Sequence, residues 1–409
     1  MKQIRYHQHI LLLFTLTLLA CGEKKSADSA NADSQNGLVT FHLNAPPSEV
    51  EPLLLSELAD SVSYVALETT KETLTKDGVQ YGDRFYSIID KCLYCFDKNG
   101  KYLHQVGRRG QGPDEYIWYG NEYWAFRVDI TTNWVYIRVM GGKYLIYDEN
   151  GKYLSSQSPD QLHKGGIIMV YDNIAYLYPL DTCYVIDMHN NQVISTKTTS
   201  NEILEKSKIS RQENYDKQVN ALPGNVLESY SSQDAYYLRY VYYSDTVFVA
   251  QNKEFRPFCL LSAQNKYKFG DEYTDPAKSM VYQPLVLRMQ VFKEKLLLCV
   301  QYTTSEKECF LDKKENYYWV VCNLIDGSVT YHSYNIVNDL DGGPNILVDE
   351  KDINCLSVED LKNDKEIYNS YFTEGVKAKL KDQEGQFQRL FEPLADDANP
   401  IIRTIHWKQ

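Results

Sequence analysis

Basic charge is in short supply. The chain of 409 residues carries 43 Lys and Arg against 55 Asp and Glu, a formal net charge of -12. Without Lys2 and Arg5 it is two units more negative, because residues 1–20 hold no acid. Nucleic-acid binding needs clustered cations to displace counterions from phosphate, and this balance excludes it. Histidine is scarce too. Six lie beyond residue 20 (His42, His104, His163, His189, His332 and His406), and no two of these fall within five residues, so there is no HExxH-type metal motif. No GxSxG elbow, SxxK motif or Gly-Lys-Ser/Thr loop occurs, so the local marks of common hydrolases and P-loop proteins are missing. A site assembled from single residues on distant loops would leave no such mark.

Long apolar runs are also lacking. Ile10 to Ala20 is an eleven-residue stretch, short of the roughly 20 residues that cross a hydrocarbon core as a helix. With Lys2 and Arg5 ahead of it, residues 1–20 read as a secretory signal peptide. Leu18-Leu19-Ala20-Cys21-Gly22 follows, with small residues on both sides of a cysteine. This resembles the bacterial lipobox. The resemblance implies cleavage before Cys21 and acylation of its thiol with fatty chains such as palmitate; the other reading is an ordinary signal with a chance cysteine. Residues 21–37 are small and polar and cannot bury enough apolar surface to offset ordering, so they form a flexible tether. Gly22 rather than Asp in that position implies the outer membrane, facing either the periplasm or the exterior.

Eight further cysteines are scattered without the spacing of a disulfide framework, and most sit in apolar runs as small hydrophobes. Cys92-Leu93-Tyr94-Cys95 has redox or zinc spacing. In an extended segment, however, residues three apart point to opposite faces, and no second CxxC accompanies it.

The remainder is ordinary globular material: 43% hydrophobic, 24% charged, 13% aromatic, which excludes disordered and collagen-like chains. The 34 Tyr favour pleated, half-buried surfaces. Period-two segments broken by Asp, Asn and Gly predominate. Phe96-Asp97-Lys98-Asn99-Gly100-Lys101-Tyr102-Leu103 recurs as Tyr147-Asp148-Glu149-Asn150-Gly151-Lys152-Tyr153-Leu154, and Asn-Gly supplies the positive φ of a hairpin turn. Looser versions run Val185 to Ile194, Val247 to Phe255 and Val320 to Val329. Five successive hairpins predict four-stranded sheets around an axis, a β-propeller. Residues 201–220 read as weakly helical. Residues 355–398 read as a helical insertion, with a capping box at Ser357-Val358-Glu359-Asp360 and Val376, Leu380, Phe387, Phe391 and Leu394 at helical spacing. Setting aside 197–225 and 355–398 leaves 291 residues after position 45, about 48 per blade for six blades or about 42 for seven.

Leu55 to Thr70, Val106-Gly107-Arg108-Arg109-Gly110-Gln111-Gly112-Pro113-Asp114-Glu115-Tyr116, Asn338 to Pro344 and Asp397-Ala398-Asn399-Pro400-Ile401-Ile402 together resemble the six-bladed β-propeller lipoproteins of gut-type Gram-negative anaerobes. Around Gly112 to Tyr116 the chain is also similar to NHL/TolB-like propellers. Asp114 stands where that family usually has Gly. The resemblance implies an all-β, six-bladed propeller over residues 38–409. The alternating run Pro400 to Trp407 is expected to close the ring by pairing with Gly37 to Leu43.

Three constellations are candidate sites. Arg108 and Arg109 place two guanidinium forks in an acidic chain, where they could hold a carboxylate, sulfate or phosphate or merely orient a connection. Tyr116, Trp118 and Tyr119 lead an aromatic group, with Tyr123, Trp124, Trp134 and Tyr136, that could stack on a ligand or pack between blades. Asp339 and Asp341 on a glycine-rich loop are weak calcium candidates, or turn caps; an EF-hand would need Glu where Val348 stands. No catalytic residue is singled out. The expected role is non-catalytic: an envelope-anchored binding or scaffold propeller for a glycan, peptide or envelope protein, tied to the bilayer through Cys21. The alternative is a hydrolase or lyase acting on polysaccharide or glycopeptide at the mouth of the channel.

Overall fold

Two hairpins written in nearly the same letters fold the same way. The Asp97 carboxylate accepts the Asn99 and Lys101 N–H groups at 2.8 and 2.9 Å. Asp148 accepts those of Asn150 and Lys152 at 2.9 and 2.8 Å. Gly100 and Gly151 then take φ of 81° and 75°, a conformation that side chains resist. Each turn is also a joint to the preceding sheet. Gly100 O accepts the Glu68 N–H at 2.7 Å, and Gly151 O accepts the Gly107 N–H at 2.9 Å. A Cβ on Gly100 would lie 2.2 Å from Ala66 O, and one on Gly151 2.6 Å from Gln105 O.

The computed structural model describes residues 37–44, 46–117, 125–139, 142–158, 166–177, 182–198, 226–229, 235–240, 246–262, 285–292, 294–302, 316–347, 354–372 and 385–408. Cys21, Trp118, Tyr119, Tyr123, Trp124, Val376, Leu380 and the segment 201–220 lie outside them. Blade 2 is Val79–Tyr81, Arg84–Ile89, Cys92–Phe96 and Tyr102–Val106. Blade 3 is Phe126–Asp129, Trp134–Arg138, Tyr144–Tyr147 and Tyr153–Gln157. Blade 4 is Ile167–Tyr171, Ile174–Leu177, Thr182–Asp187 and Gln192–Thr198. Blade 5 is Val226–Ser229, Tyr236–Tyr240, Thr246–Gln251 and Glu254–Ser262. Blade 6 is Leu285–Phe292, Lys295–Gln301, Tyr317–Asn323 and Val329–His332. All five are antiparallel meanders, and the last hairpin of each is one of the five seen in the sequence.

Two composite sheets complete the ring. Blade 7 joins Asn335–Val337 and Ile346–Leu347 to Leu53–Leu54, and blade 1 joins Cys355–Leu356, Ile401–Trp407 and Ala59–Ala66. The propeller therefore has seven blades among the described residues, where six were expected. The miscount follows from how these two are built: neither contains a continuous hairpin array, and a helical segment interrupts blade 1.

Buried clusters run between blades around the full circle. Ile402 and Leu67 meet Phe85 and Phe96 between blades 1 and 2. Tyr86, Leu93 and Val106 meet Phe126, Val135 and Leu145 between blades 2 and 3. Further clusters join blades 3 to 4, 4 to 5 and 5 to 6. The last holds Trp319 of blade 6, Ile336 of blade 7 and Tyr64 of blade 1 together. The insertion packs on that cluster through helices α1 (Val358–Asn363), α2 (Lys365–Tyr371) and α3 (Gln386–Phe391). Ser357 caps α1 by accepting the Asp360 N–H, and Phe387 and Phe391 stack at 5.3 Å. No described helix is long and apolar enough to cross a membrane.

Closure differs from expectation in its partner. Ile401–Trp407 pairs antiparallel with Ala59–Ala66, while Thr40–His42 pairs in parallel with Leu260–Ser262 as a fifth strand on blade 5. Ala59–Ala66 has the length and the alternating buried Val62 and Tyr64 to sit between a neighbour and solvent; three residues at 40–42 do not.

Gly100→Ala and Gly151→Ala should each cost about 2 kcal/mol or more in urea unfolding, from a left-handed penalty of roughly 1–2 kcal/mol plus contact with a carbonyl. Gly82→Ala, also at positive φ but with side-chain atoms no nearer than 3.5 Å, should lose the conformational part alone. Equal losses at all three would remove the joint.

Candidate functional site

Blade 2 leads into the loop 107–116 at Gly107, whose φ is 60° and whose absent Cβ leaves room for the Tyr147 ring. Arg108–Arg109 then runs as a two-residue parallel ladder beside Glu115–Tyr116. Gly110 donates its N–H to Tyr116 O at 3.1 Å, and Glu115 donates its own to Gly112 O at 3.2 Å. The Glu115 carboxylate turns inward and accepts the Gly112 N–H at 2.9 Å. Tyr147 of blade 3 donates its hydroxyl to Asp114 O at 3.0 Å. The loop is thus a tied structure between two blades.

Both arginines stand outside it, exposed. Arg108 Nη2 lies 3.7 Å from Asp114 Oδ2, with side chains 73% and 40% exposed. A pair that long and wet contributes well under 1 kcal/mol. Arg109 enters no ion pair among the described residues. Successive residues of an extended ladder point to opposite sides, so the two guanidinium groups are not a single fork. On the Arg109 side is the half-buried Cys92. Burial pushes its thiol up, and the charge and main-chain N–H of Arg109 pull it back.

Tyr116 belongs to the frame. Its ring is fully buried; its hydroxyl accepts the Leu93 N–H at 2.9 Å and donates to Val106 O at 2.8 Å. It bridges two paired strands of blade 2 and offers no face to a ligand, which corrects its place among the ligand-binding candidates. Tyr136 is likewise buried and donates to Asn173 Oδ1 of blade 4 at 3.1 Å, with Trp134 partly buried in the same cluster.

The acidic loop lies in blade 7. Asp339 accepts the Ser56 N–H at 2.9 Å and the Ser56 hydroxyl at 2.6 Å, holding the N-terminal segment. Asp341 Oδ1 accepts Asn338 Nδ2 at 2.8 Å, the Gly343 N–H at 3.0 Å and the Tyr64 hydroxyl at 3.4 Å. The two carboxylates serve different elements. No group of three or more His, Cys, Asp or Glu side chains suited to a metal ion occurs among the described residues.

Two polar residues that sequence reasoning passed over organise this region. Arg403 is fully buried and donates Nη1 to Pro344 O and Asn345 O, both at 3.0 Å. Asn399, also fully buried, donates Nδ2 to Glu68 O at 2.8 Å and Thr73 O at 2.6 Å and accepts the Thr75 N–H at 2.8 Å. The only trace of Arg403 in the sequence is a cation between Ile402 and Thr404 in an alternating run, which a surface arginine on an edge strand would share.

Tyr116→Phe strands a buried donor and a buried acceptor, each costing about 1–3 kcal/mol, so it should unfold at clearly lower urea than the parent; an unchanged midpoint would contradict its place in the frame. Alkaline pH tests the buried phenols together. Burial holds Tyr64, Tyr86, Tyr116, Tyr136, Tyr147 and Tyr302 above the usual phenol range. In the unfolded chain they ionise near 10, so the unfolded state sheds protons that the folded state keeps. Stability should begin to fall at about pH 8.5, where the thiols of Cys95 and Cys322, also held up by burial, would ionise in the unfolded chain. It should fall more steeply as pH rises through about 10. Thermal melts at stepped pH would check this; a melting temperature unchanged between about pH 9 and 11 would contradict it.

No functionally curated protein matches the chain. Among solved structures, a "Putative exported protein" from Bacteroides fragilis NCTC 9343 is similar at 14% identity with a TM-score of 0.53, covering 91% of this chain and 100% of that one. BamB from Moraxella catarrhalis aligns at 8% identity and a TM-score of 0.36, over 66% of each chain. At such identity the first likeness speaks to the fold alone. The family model described as "Domain of unknown function (DUF4934)" matches residues 38–406. That span opens at the strand laid on blade 5 and ends inside the closing strand of blade 1, so the chain belongs to the DUF4934 family of β-propellers.

Proposed function

We propose that the protein is exported, acylated on Cys21 and held at the outer membrane, where its propeller binds an anionic group of an envelope glycan, peptide or protein without turning it over. The reading rests on the arginine ladder. In a chain of net charge -12, Arg108 and Arg109 are presented to solvent on a backbone tied down from both sides. Arg108 has one weak partner and Arg109 no ion-pair partner among the described residues. An arginine left unneutralised on a rigid support is suited to a carboxylate, sulfate or phosphate, because its fork is already oriented. Trp118 and Tyr119 follow in sequence and would supply stacking surface. Export is supported by the signal-like residues 1–20 and by the name given to the similar Bacteroides fragilis protein. Two-chain or three-chain acylation would anchor the polar tether stably, where one chain would not.

Binding is checked on arrays of sulfated and uronate-bearing glycans and of acidic peptides. The Arg108→Ala/Arg109→Ala double variant should bind at least tenfold more weakly than the parent, since a charge-assisted hydrogen bond is worth about 1.5–3 kcal/mol. Equal binding by both proteins, or conversion of the captured glycan, would overturn the reading. Cys21→Ser should move the protein from the detergent phase to the aqueous phase in detergent partitioning of whole cells; unchanged partitioning would refute the anchor.

A further inference from the structure

The outermost strands of blades 2 to 5 share one irregularity. In each, a residue is skipped by the ladder with the third strand: Leu103, Leu154, Ile194 and Phe258. Each is a β-bulge, and each holds a large apolar side chain. On blades 2, 3 and 4 that side chain is 42%, 43% and 42% exposed. On blade 5 it is not left so open. Phe258 packs against the same buried cluster as Val39, and the segment carrying Val39 is laid on the blade as a fifth, parallel strand. Leu260, two residues past the bulge, donates its N–H to Val39 O at 2.9 Å, and Ser262 O accepts the Leu43 N–H at 2.8 Å.

Blade 4 repeats this arrangement without the fifth strand. Counting from the bulge, Thr196 and Thr198 occupy the places of Leu260 and Ser262, because Ser195 pairs with Val185 as Cys259 pairs with Val247. Equal register turns the same backbone groups outward. The strand Gln192–Thr198 is seven residues long and alternates between exposed and half-buried along its length. Among the described residues, no strand lies outside it. Blade 2 is less open, since Gly151 of the next blade sits over main-chain atoms of Gln105 and Val106. On blade 4 the next blade meets side chains on the half-buried positions, Ser195 donating its hydroxyl to Lys253 O at 3.0 Å and Lys197 lying 4.1 Å from the Phe248 ring centroid.

We propose that Gln192–Thr198 is a docking edge for an extended segment of a partner protein, added in parallel with apolar residues at alternate positions, one of them over Ile194. The chain's own blade 5 supplies the pattern: backbone hydrogen bonds hold the added strand, and the bulge residue Phe258, which meets the Tyr237 ring at 4.7 Å, packs on the cluster that Phe41 and Leu43 of the added strand help to form. A second copy is the poorer occupant, because in every copy residues 38–43 are engaged on blade 5. The inference is independent of the arginine loop.

The probe is a fluorescent synthetic hexapeptide with the sequence of residues 38–43, titrated into the full chain by fluorescence anisotropy. Saturable binding is expected, weakened at least tenfold by Ile194→Asp and by Thr196→Pro, which removes the outward N–H at an edge that tolerates proline. Hydrogen exchange should show new protection at Thr196 when peptide is added. Melts of both variants matching the parent show that lost binding is not lost folding. Absence of binding, or binding unchanged in both variants, would overturn the proposal. So would dimerisation of the free protein that Thr196→Pro abolishes, because the occupant would then be a second copy.

Discussion

The ring depends on one pairing across the whole length of the chain. Ile401–Trp407 lies between Cys355–Leu356 and Ala59–Ala66, so a sheet is complete only when both ends of the domain are in place. Arg403 makes that pairing more than a zipper. A buried guanidinium is costly unless its donors are met, and here Nη1 reaches two carbonyls of blade 7. The closing strand is thereby bonded to the blades on both sides of the seam. The N-terminal segment adds a second tie. Residues 40–42 pair with blade 5, Asn44 O accepts the Tyr331 hydroxyl of blade 6, residues 53–54 pair with blade 7, and residues 59–66 pair within blade 1. One stretch of chain thus meets four sheets in succession and spans the junctions of blades 5 and 6, 6 and 7, and 7 and 1.

Elsewhere the blades are joined by tyrosine. The ring of Tyr144 packs in the cluster between blades 3 and 4 while its hydroxyl accepts the Ile167 N–H at 2.9 Å. Tyr176 of blade 4 accepts the Lys253 N–H of blade 5 at 2.9 Å. Tyr147 reaches the loop behind blade 2, and Tyr64 reaches Asn338 and Asp341 of blade 7. Phenylalanine would fill the same space but leave main-chain groups at the blade ends without partners. From composition alone the high tyrosine content says only that strands are favoured; these four show a double use of ring and hydroxyl.

What could be read in advance was whatever the chain writes locally. The Asp-x-Asn-Gly turns at 97–100 and 148–151 and their three looser relatives identify the last hairpins of blades 2 to 6, and Ser357 marks the start of α1. Blades 1 and 7 were not legible, because their strands come from residues hundreds of positions apart and three of the six contain only two residues. The partner of the closing strand is hidden for a related reason: Thr40–His42 and Ala59–Ala66 both look like strands, and packing decides which one meets Ile401–Trp407. The candidate site was legible in part. Two adjacent arginines beside glycines stand out in any sequence and are exposed here. That Tyr116 faces inward depends on where Leu93 and Val106 lie, and periodicity does not reveal it.

The stretches that carry the resemblance to other propellers are joints for the most part. Gly107 to Tyr116 ties blade 2 to blade 3; Asn338 to Pro344 receives Ser56, Tyr64 and Arg403; Asn399 binds the closing strand to residues 68–75. Positions of this kind are dictated by backbone geometry and buried polar groups, so they would persist in any chain that closes the same ring, whatever it binds. A shared motif here is evidence about architecture. Arg108 and Arg109 differ from these joints, because the hydrogen bonds fixing their ladder run through the backbone, and Arg108 makes only a weak 3.7 Å pair with Asp114. Replacing either side chain would alter what the loop presents without loosening the loop itself, so the surface chemistry here is separable from the architecture.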